Sequence, residues 1–172
     1  HIGHVRGAVF GDTLARVGRY LGHQIFTEYY INDAGNQIEN LGISIILAGR
    51  KLFFNENIEY PKNAYKGEYI ETLAHEAKDK FGENIFDNAN CEKLSIWGKD
   101  KMLDLIKSNL NEAGIKIDNY VSEKSLYNEL KPTIAKLEKC GGIYHQDEKI
   151  WIKSSQIGDE KDRVVVRDDG RP

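Results

Sequence analysis

The stretch that decides the fold is residues 1–37, "HIGHVRGAVFGDTLARVGRYLGHQIFTEYYINDAGNQ". Residues 4–21 carry apolar side chains at helical spacing, and Gly22 stands where a helix C-cap is expected. The next nine residues, 23–31, are rich in β-branched and aromatic types and end at a loop-forming cluster, which predicts a buried strand. A second helical periodicity covers residues 36–54. Helix, strand and helix in this order predict an α/β fold. The apolar stripe of the first helix comprises Val5, Val9, Leu14, Val17 and Leu21.

The remainder of the chain alternates between helical and strand patterns. Amphipathic helices are predicted at 68–82, 91–114 and 125–142, a strand at 115–123, a β-hairpin at 143–155 and a last short strand at 164–167 before an "RDDG" turn. We predict that strands 24–31 and 163–167 lie in one sheet, and that the residues between them pack as a separate lobe.

Composition limits the function classes. The chain has 172 residues, 40% of them hydrophobic and 30% charged, with a net charge of −3. The longest apolar run, "ISIILAG" at 43–49, is far shorter than the roughly 20 residues of a membrane span, so no membrane role is expected. Because the net charge is weakly negative, this segment is not expected to supply the main electrostatic attraction for a nucleic acid. Cys91 and Cys140 have no metal-ligand spacing, which favours buried free thiols in a reducing compartment, the cytoplasm.

The first four residues, "HIGH", predict an anion pocket. A helix N-terminus presents unpaired N–H groups, and Gly3 would let a phosphate approach them closely. His1 and His4 are spaced i, i+3, so both imidazoles could donate to the same phosphate oxygens. Such a pocket suits attack by a carboxylate on an α-phosphorus, with His4 stabilising the charge that develops. A two-histidine metal site is the alternative. It would need a third ligand, and Asp12 is the only obvious acidic neighbour in the sequence.

The longer phrase carries a resemblance. "HIGH" followed by "VRGAVFGDTLARVGRYLGHQIFTEYYINDAGNQI" resembles the class I aminoacyl-tRNA synthetases, and specifically the bacterial arginyl-tRNA synthetases. "GDEKDRVVVRDDGRP" at 158–172 is similar to the family's return to the catalytic sheet after its connective insertion. The resemblance implies an incomplete parallel sheet of Rossmann-like type. Residues 1–54 would form its first half, 55–157 an α+β insertion and 158–172 the return strand.

The same resemblance implies a function and its residues. The chain would be part of an arginine–tRNA ligase that activates L-arginine with ATP and transfers it to tRNA(Arg). His1 and His4 would be catalytic and, with Gly3, would bind ATP. His4, with the "NDAGNQ" residues Asp33, Gly35 and Gln37, would contact substrate. Mg²⁺ would arrive with ATP, no tightly bound cofactor or metal site is expected, and the enzyme would be a monomer. The family's Ser-x-Asn segment, KMSKS-like loop and anticodon-binding domain are missing, so the chain alone is expected to be inactive.

Three questions stay open at the sequence level. The chain could instead be a non-catalytic synthetase-like module, or belong to another HIGH-bearing nucleotidyltransferase, although the latter would not explain "YYINDAGNQI". The aromatic side chains Phe26, Tyr29 and Tyr30 suit a core better than a base-stacking platform. Arg6 and Arg16 could contact phosphate or tRNA.

Overall fold

The computed structural model describes residues 2–171, without the side chains of Ile2 and His4. The chain divides into two compact units, one ending at Glu123 and one beginning at Lys124. None of the helices within the described residues is long and apolar enough to span a membrane.

The first unit contains four α-helices and a two-stranded sheet within its described residues. In chain order its elements are α1 (Ile2–Tyr20), β1 (Glu28–Ile31), α2 (Asn36–Phe54), α3 (Glu68–Phe81), α4 (Cys91–Glu112) and β2 (Asn119–Ser122). Short 3₁₀ helices, Glu83–Phe86 and Asn88–Asn90, connect α3 to α4. These bounds agree with the predicted helices to within a few residues, and each strand is shorter than predicted.

The core of this unit is built around α2. Its apolar side chains, with Ile45 and Ile46 almost fully buried, pack against α3, α4 and the 3₁₀ segment that carries Phe86. Gly49 lies against the Phe86 ring so closely that a Cβ would overlap it. The longest apolar run of the sequence, 43–49, is therefore part of the buried face of α2.

Strands β1 and β2 form a parallel pair in which Tyr29 lies opposite Tyr120 and Ile31 opposite Ser122. A parallel sheet is thus present, but the partner of β1 comes from residues that the sequence assigned to the insertion. The β1 side chains alternate between exposed and half-buried. The prediction of a buried strand is wrong within residues 2–171, because none of the β1 side chains is buried there.

Within its described residues, the second unit has one α-helix, two short 3₁₀ helices and a three-stranded antiparallel sheet. Helix α5 (Tyr127–Lys139) is followed by β3 (Ile143–Gln146), β4 (Lys149–Ile152) and β5 (Arg163–Val166), paired in that order. The β3–β4 turn is a two-residue loop in which Asp147 and Glu148 both have positive φ, the conformation that matches the twist of a hairpin. The predicted hairpin is confirmed.

Two predictions about packing are wrong. Strand β5 lies in the hairpin sheet and not in the sheet of β1, because it follows β4 closely along the chain and pairs with its free edge. Residues 55–157 do not form a lobe of their own either. Helices α3 and α4 bury their apolar faces on α2, whose own apolar face needs those partners.

The apolar stripe of α1 lies in solvent. Val5, Val9 and Leu14 are 49%, 48% and 63% exposed, and Phe26, in the connection to β1, is 86% exposed. Tyr30 is exposed and Tyr29 is half-buried against Tyr120. The expectation that Phe26, Tyr29 and Tyr30 form a core is therefore wrong within the described residues.

Candidate functional site

The carboxyl edge of the β1–β2 sheet joins two segments that are distant in sequence. Parallel strands end at the same edge, so the residues after Ile31 come next to those at the end of β2. There the hydroxyl of Ser122 donates to Asp33 Oδ2 at 2.7 Å, and the Glu123 N–H donates to the Ile31 carbonyl at 3.0 Å. Asp33 is half-buried and held at an edge where α/β folds bind ligands.

The loop after Asp33 leads directly into α2. Gly35 is the N-cap of that helix, with φ 76°, a left-handed value that an L side chain rarely adopts. Gly35 has no side chain with which to cap the helix, and Gly35 and Gln37 are both exposed. The first turn of α2 therefore presents backbone N–H groups beside Asp33, an arrangement that favours a polar or anionic ligand.

The "HIGH" segment lies at the beginning of α1. Gly3 is exposed in the first turn, as an anion pocket requires. His1 is outside the described residues, and so is the side chain of His4, although the backbone of His4 is helical. The roles predicted for His1, Gly3 and His4, and for Asp33, Gly35 and Gln37, stay predictions.

The other end of α1 is fixed at the amino edge of the same sheet. Asp118 Oδ2 accepts hydrogen bonds from the Thr27 N–H at 2.8 Å and from Arg19 Nη2 at 2.8 Å. The Thr27 hydroxyl lies 2.9 Å from the same oxygen. In return the Asp118 N–H donates to the Thr27 carbonyl at 3.0 Å. One carboxylate therefore joins the last turn of α1 to the residues that precede β1 and β2.

These bonds lower the pKa of Asp118 below its usual value. The backbone N–H of Thr27 is the largest cause, followed by the Thr27 hydroxyl, and the Arg19 charge acts in the same direction. Asp118 is therefore ionised at neutral pH.

Arg16 takes part in the same connection. Its Nη2 donates to the Gly114 carbonyl at 2.6 Å and its Nε pairs with Asp12 Oδ2 at 2.6 Å. The phosphate or tRNA role left open for Arg16 is therefore not supported. Sequence reasoning missed Ser122, Thr27 and Asp118. An Asp directly before a strand is common, and its long-range partners depend on the tertiary structure.

The family described as "tRNA synthetases class I (R), catalytic domain" matches residues 1–171. The chain belongs to this family. It is 58% identical over 171 residues to an arginine–tRNA ligase of Campylobacter jejuni, an alignment covering 99% of this chain and 32% of the relative. The family and fold expected from "HIGH" and "NDAGNQ" are confirmed.

Solved structures agree. A crystal structure described as an arginyl-tRNA synthetase from Campylobacter jejuni superimposes with a TM-score of 0.91 at 58% identity, covering 99% of this chain and 38% of that one. An arginyl-tRNA synthetase from Plasmodium falciparum shares the fold, with a TM-score of 0.62 at 19% identity over 99% of this chain and 29% of that one. The chain spans about a third of the length of the curated arginine–tRNA ligase that it matches.

Proposed function

We propose that this chain is part of an arginine–tRNA ligase, which activates L-arginine with ATP to arginyl-adenylate, releasing pyrophosphate, and then transfers the arginyl group to tRNA(Arg), releasing AMP. The observation that carries the proposal is the 58% identity along 99% of the chain to a protein with that name. The edge at which Ser122 holds Asp33 supports it, because the carboxyl ends of parallel strands are where α/β folds place their ligands.

The "HIGH" turn would hold the ATP phosphates. In the reaction the arginine carboxylate attacks the α-phosphorus, a bond forms between them, and pyrophosphate leaves with its electron pair. Negative charge grows on the non-bridging oxygens during this step. We assign His4 to the stabilisation of that charge, and His1 and Gly3 to binding the phosphates.

The "NDAGNQ" loop would complete the substrate side of the site. A half-buried carboxylate at Asp33 suits a cationic group of arginine, and the exposed Gly35 and Gln37 beside it can donate hydrogen bonds. His4 would contact the same substrate from α1.

Mg²⁺ would be carried by the ATP phosphates. Within residues 2–171 no three His, Cys, Asp or Glu side chains are grouped so that they could hold a metal ion. ATP, with its Mg²⁺, is proposed as a substrate because the resemblance to the family implies it. A monomeric enzyme of the cytoplasm is part of the same proposal. Cys91 and Cys140 are free thiols, which supports a reducing compartment, but Cys91 is half-buried and Cys140 exposed, so the prediction that both are buried is wrong.

The test is a His4→Ala substitution in the full-length enzyme. The rate of arginyl-adenylate formation should fall about 10²-fold to 10³-fold, because a donor placed for a developing charge acts mainly in the transition state. The affinity for ATP should change much less. Pre-steady-state kinetics with saturating tRNA(Arg) measure both quantities, because the resemblance implies that activation needs the tRNA.

His23→Ala is the matched control. His23 is exposed just after α1, at the end opposite to "HIGH", so its loss should change the rate less than twofold. An unchanged chemical rate with weakened ATP binding in His4→Ala would make His4 a ground-state phosphate contact. A wild-type enzyme that forms no arginyl-adenylate would instead favour the non-catalytic module.

A further inference from the structure

Helix α1 meets the rest of its unit through a face that is not its apolar stripe. Asp12, Ala15, Arg16 and Arg19 are spaced i, i+3, i+4 and i+7, so they share one side of the helix. Ala15 is 3% exposed, while the stripe residue Leu14 beside it is 63% exposed. The contact face of α1 is therefore largely polar and contains two arginines.

Both arginines bind the segment that joins α4 to β2. Arg16 donates to the carbonyl of Gly114, and Arg19 donates to the carboxylate of Asp118. Arg19 also donates to the Ile25 carbonyl, through Nη2 at 2.9 Å. The last turns of α1 are thus bound both to the connection that follows it and to the segment leading into β2.

Asp118 is the centre of this arrangement. Its Oδ2 faces the guanidinium of Arg19 and the backbone N–H of Thr27, and its own N–H is bonded to Thr27. These contacts bring three separate segments to a single carboxylate. Loss of that carboxylate would free Arg19 from the segment before β2, leaving it bonded to the Ile25 carbonyl, and would remove the acceptor of the Thr27 N–H.

We call the contacts of Asp118 with Arg19 and Thr27 the clamp. The clamp holds the end of α1 that is far from His4, so a small change of angle there moves His4 by a larger distance. Arg19 is fifteen residues from His4 in one helix, which at 1.5 Å per residue is roughly 22 Å. A tilt of about 5° at the clamped end would therefore move the first turn by about 2 Å. Reacting groups lose about 10²-fold in rate for a displacement near 1 Å, so the direction of α1 must be held closely.

We propose that Asp118, acting through Arg19 and Thr27, is a positioning residue that sets the direction of α1 and thereby the place of His4 at its beginning. The inference rests on the proposed function of His4. Residues at the amino edge of the sheet would in this way affect the reaction at the opposite end of α1. Asp118 touches no substrate in this proposal.

The experiment is a double-mutant cycle in the full-length enzyme. Asp118→Ala should lower the rate of arginyl-adenylate formation about tenfold when His4 is present, with little change in KM for ATP. In the His4→Ala background the same substitution should cost less than twofold, because no imidazole remains to be misplaced. Arg19→Lys gives a milder second variant, expected to show the same pattern with a smaller loss.

Asp159→Ala is the matched control. Asp159 is also held by an arginine, Arg163, at 2.7 Å and by a backbone N–H, that of Glu160, at 2.7 Å. Its loss should change the rate less than twofold in both backgrounds. Melting temperatures of all variants measure any general loss of structure, and Arg19→Lys replaces Asp118→Ala in the cycle if the latter does not fold.

Equal losses with and without His4 would overturn the proposal, since a merely structural role lowers both backgrounds alike. An unchanged rate in Asp118→Ala would overturn it too. A wild-type enzyme that makes no arginyl-adenylate is a separate result. It overturns the proposed function, and the clamp's purpose with it, before any variant is compared.

Discussion

Helices α1 and α2 have the same length, 19 residues, and both carry apolar side chains at helical spacing. Their surroundings differ completely. The apolar face of α2 is buried, with Ile45 at 0% exposure, whereas the stripe of α1 is open and Val9 remains 48% exposed. Helix α2 is held by packing, and α1 is held by the hydrogen bonds of Arg16 and Arg19.

An apolar pattern predicts which face of a helix will be buried if a partner is present, but it does not predict the partner. Periodicity states which side of a helix avoids water, but the partner that covers that side has to be supplied by tertiary structure. The partners of α2 are α3 and α4, which lie in the described chain. We expect the stripe of α1 to be covered in the longer protein, because the chain spans only about a third of the length of its curated relative.

The largest effect is expected for Ile45→Ala. This change removes a fully buried side chain from the centre of the α2 packing and should lower the free energy of unfolding by about 3 to 4 kcal/mol. Urea unfolding of the 172-residue chain measures it. Leu14→Ala, at an exposed position of α1, is the control and should change the free energy by less than about 0.5 kcal/mol. Equal losses at the two positions would contradict the comparison.

A smaller effect distinguishes the short chain from the long one. Val9→Ala should be nearly neutral in the 172-residue chain, where the side chain is half exposed. In the full-length protein it should cost about 2 kcal/mol if the stripe is covered there. Hydrogen exchange of the α1 amides reports the local opening free energy in both chains. A neutral result at both lengths would mean that the stripe stays open.

The smallest effect concerns the polar attachment of α1. The folded-state pKa of Asp118 is lowered, so its stabilising contribution is present above the unfolded value of about 3.9 and is lost as pH falls through the folded value. Wild type should therefore exceed Asp118→Asn in stability at pH 7, and the gap should close in acid. Urea unfolding between pH 7 and pH 2.5 checks this. A gap of the same size at pH 7 and at pH 2.5 would show that the charge is not what stabilises the contact.

Much of the secondary structure could be predicted, because it depends on local signals. The period of α2, the Gly after α3 and the Asp147–Glu148 turn each act within a few residues. Strand partners outside the β3–β4 hairpin were not predictable in this way. Nothing near β1 in sequence indicates β2 as its neighbour, and β5 pairs with β4 instead of returning to β1.

The candidate site also contains residues that the sequence could identify and residues that only the tertiary structure could identify. Asp33 and Gly35 could be selected from the sequence because "NDAGNQ" is a continuous segment that resembles the family. Ser122 could not, because it lies 89 residues from Asp33 and reaches it only through the parallel pairing of β1 and β2. Asp118 was missed for the same reason, since its partners Arg19 and Thr27 lie far upstream.

The sequence by itself determined the α/β class, the positions of the helices, the family and the candidate residues of the "HIGH" and "NDAGNQ" segments. These features follow from residue types and short spacings. Only the tertiary structure decided which strand pairs with β1, that α3 and α4 cover α2, and that Asp118 holds the end of α1. The physical reason is that pairing, burial and ion-pair geometry are properties of two segments in contact, and a linear pattern describes each segment alone.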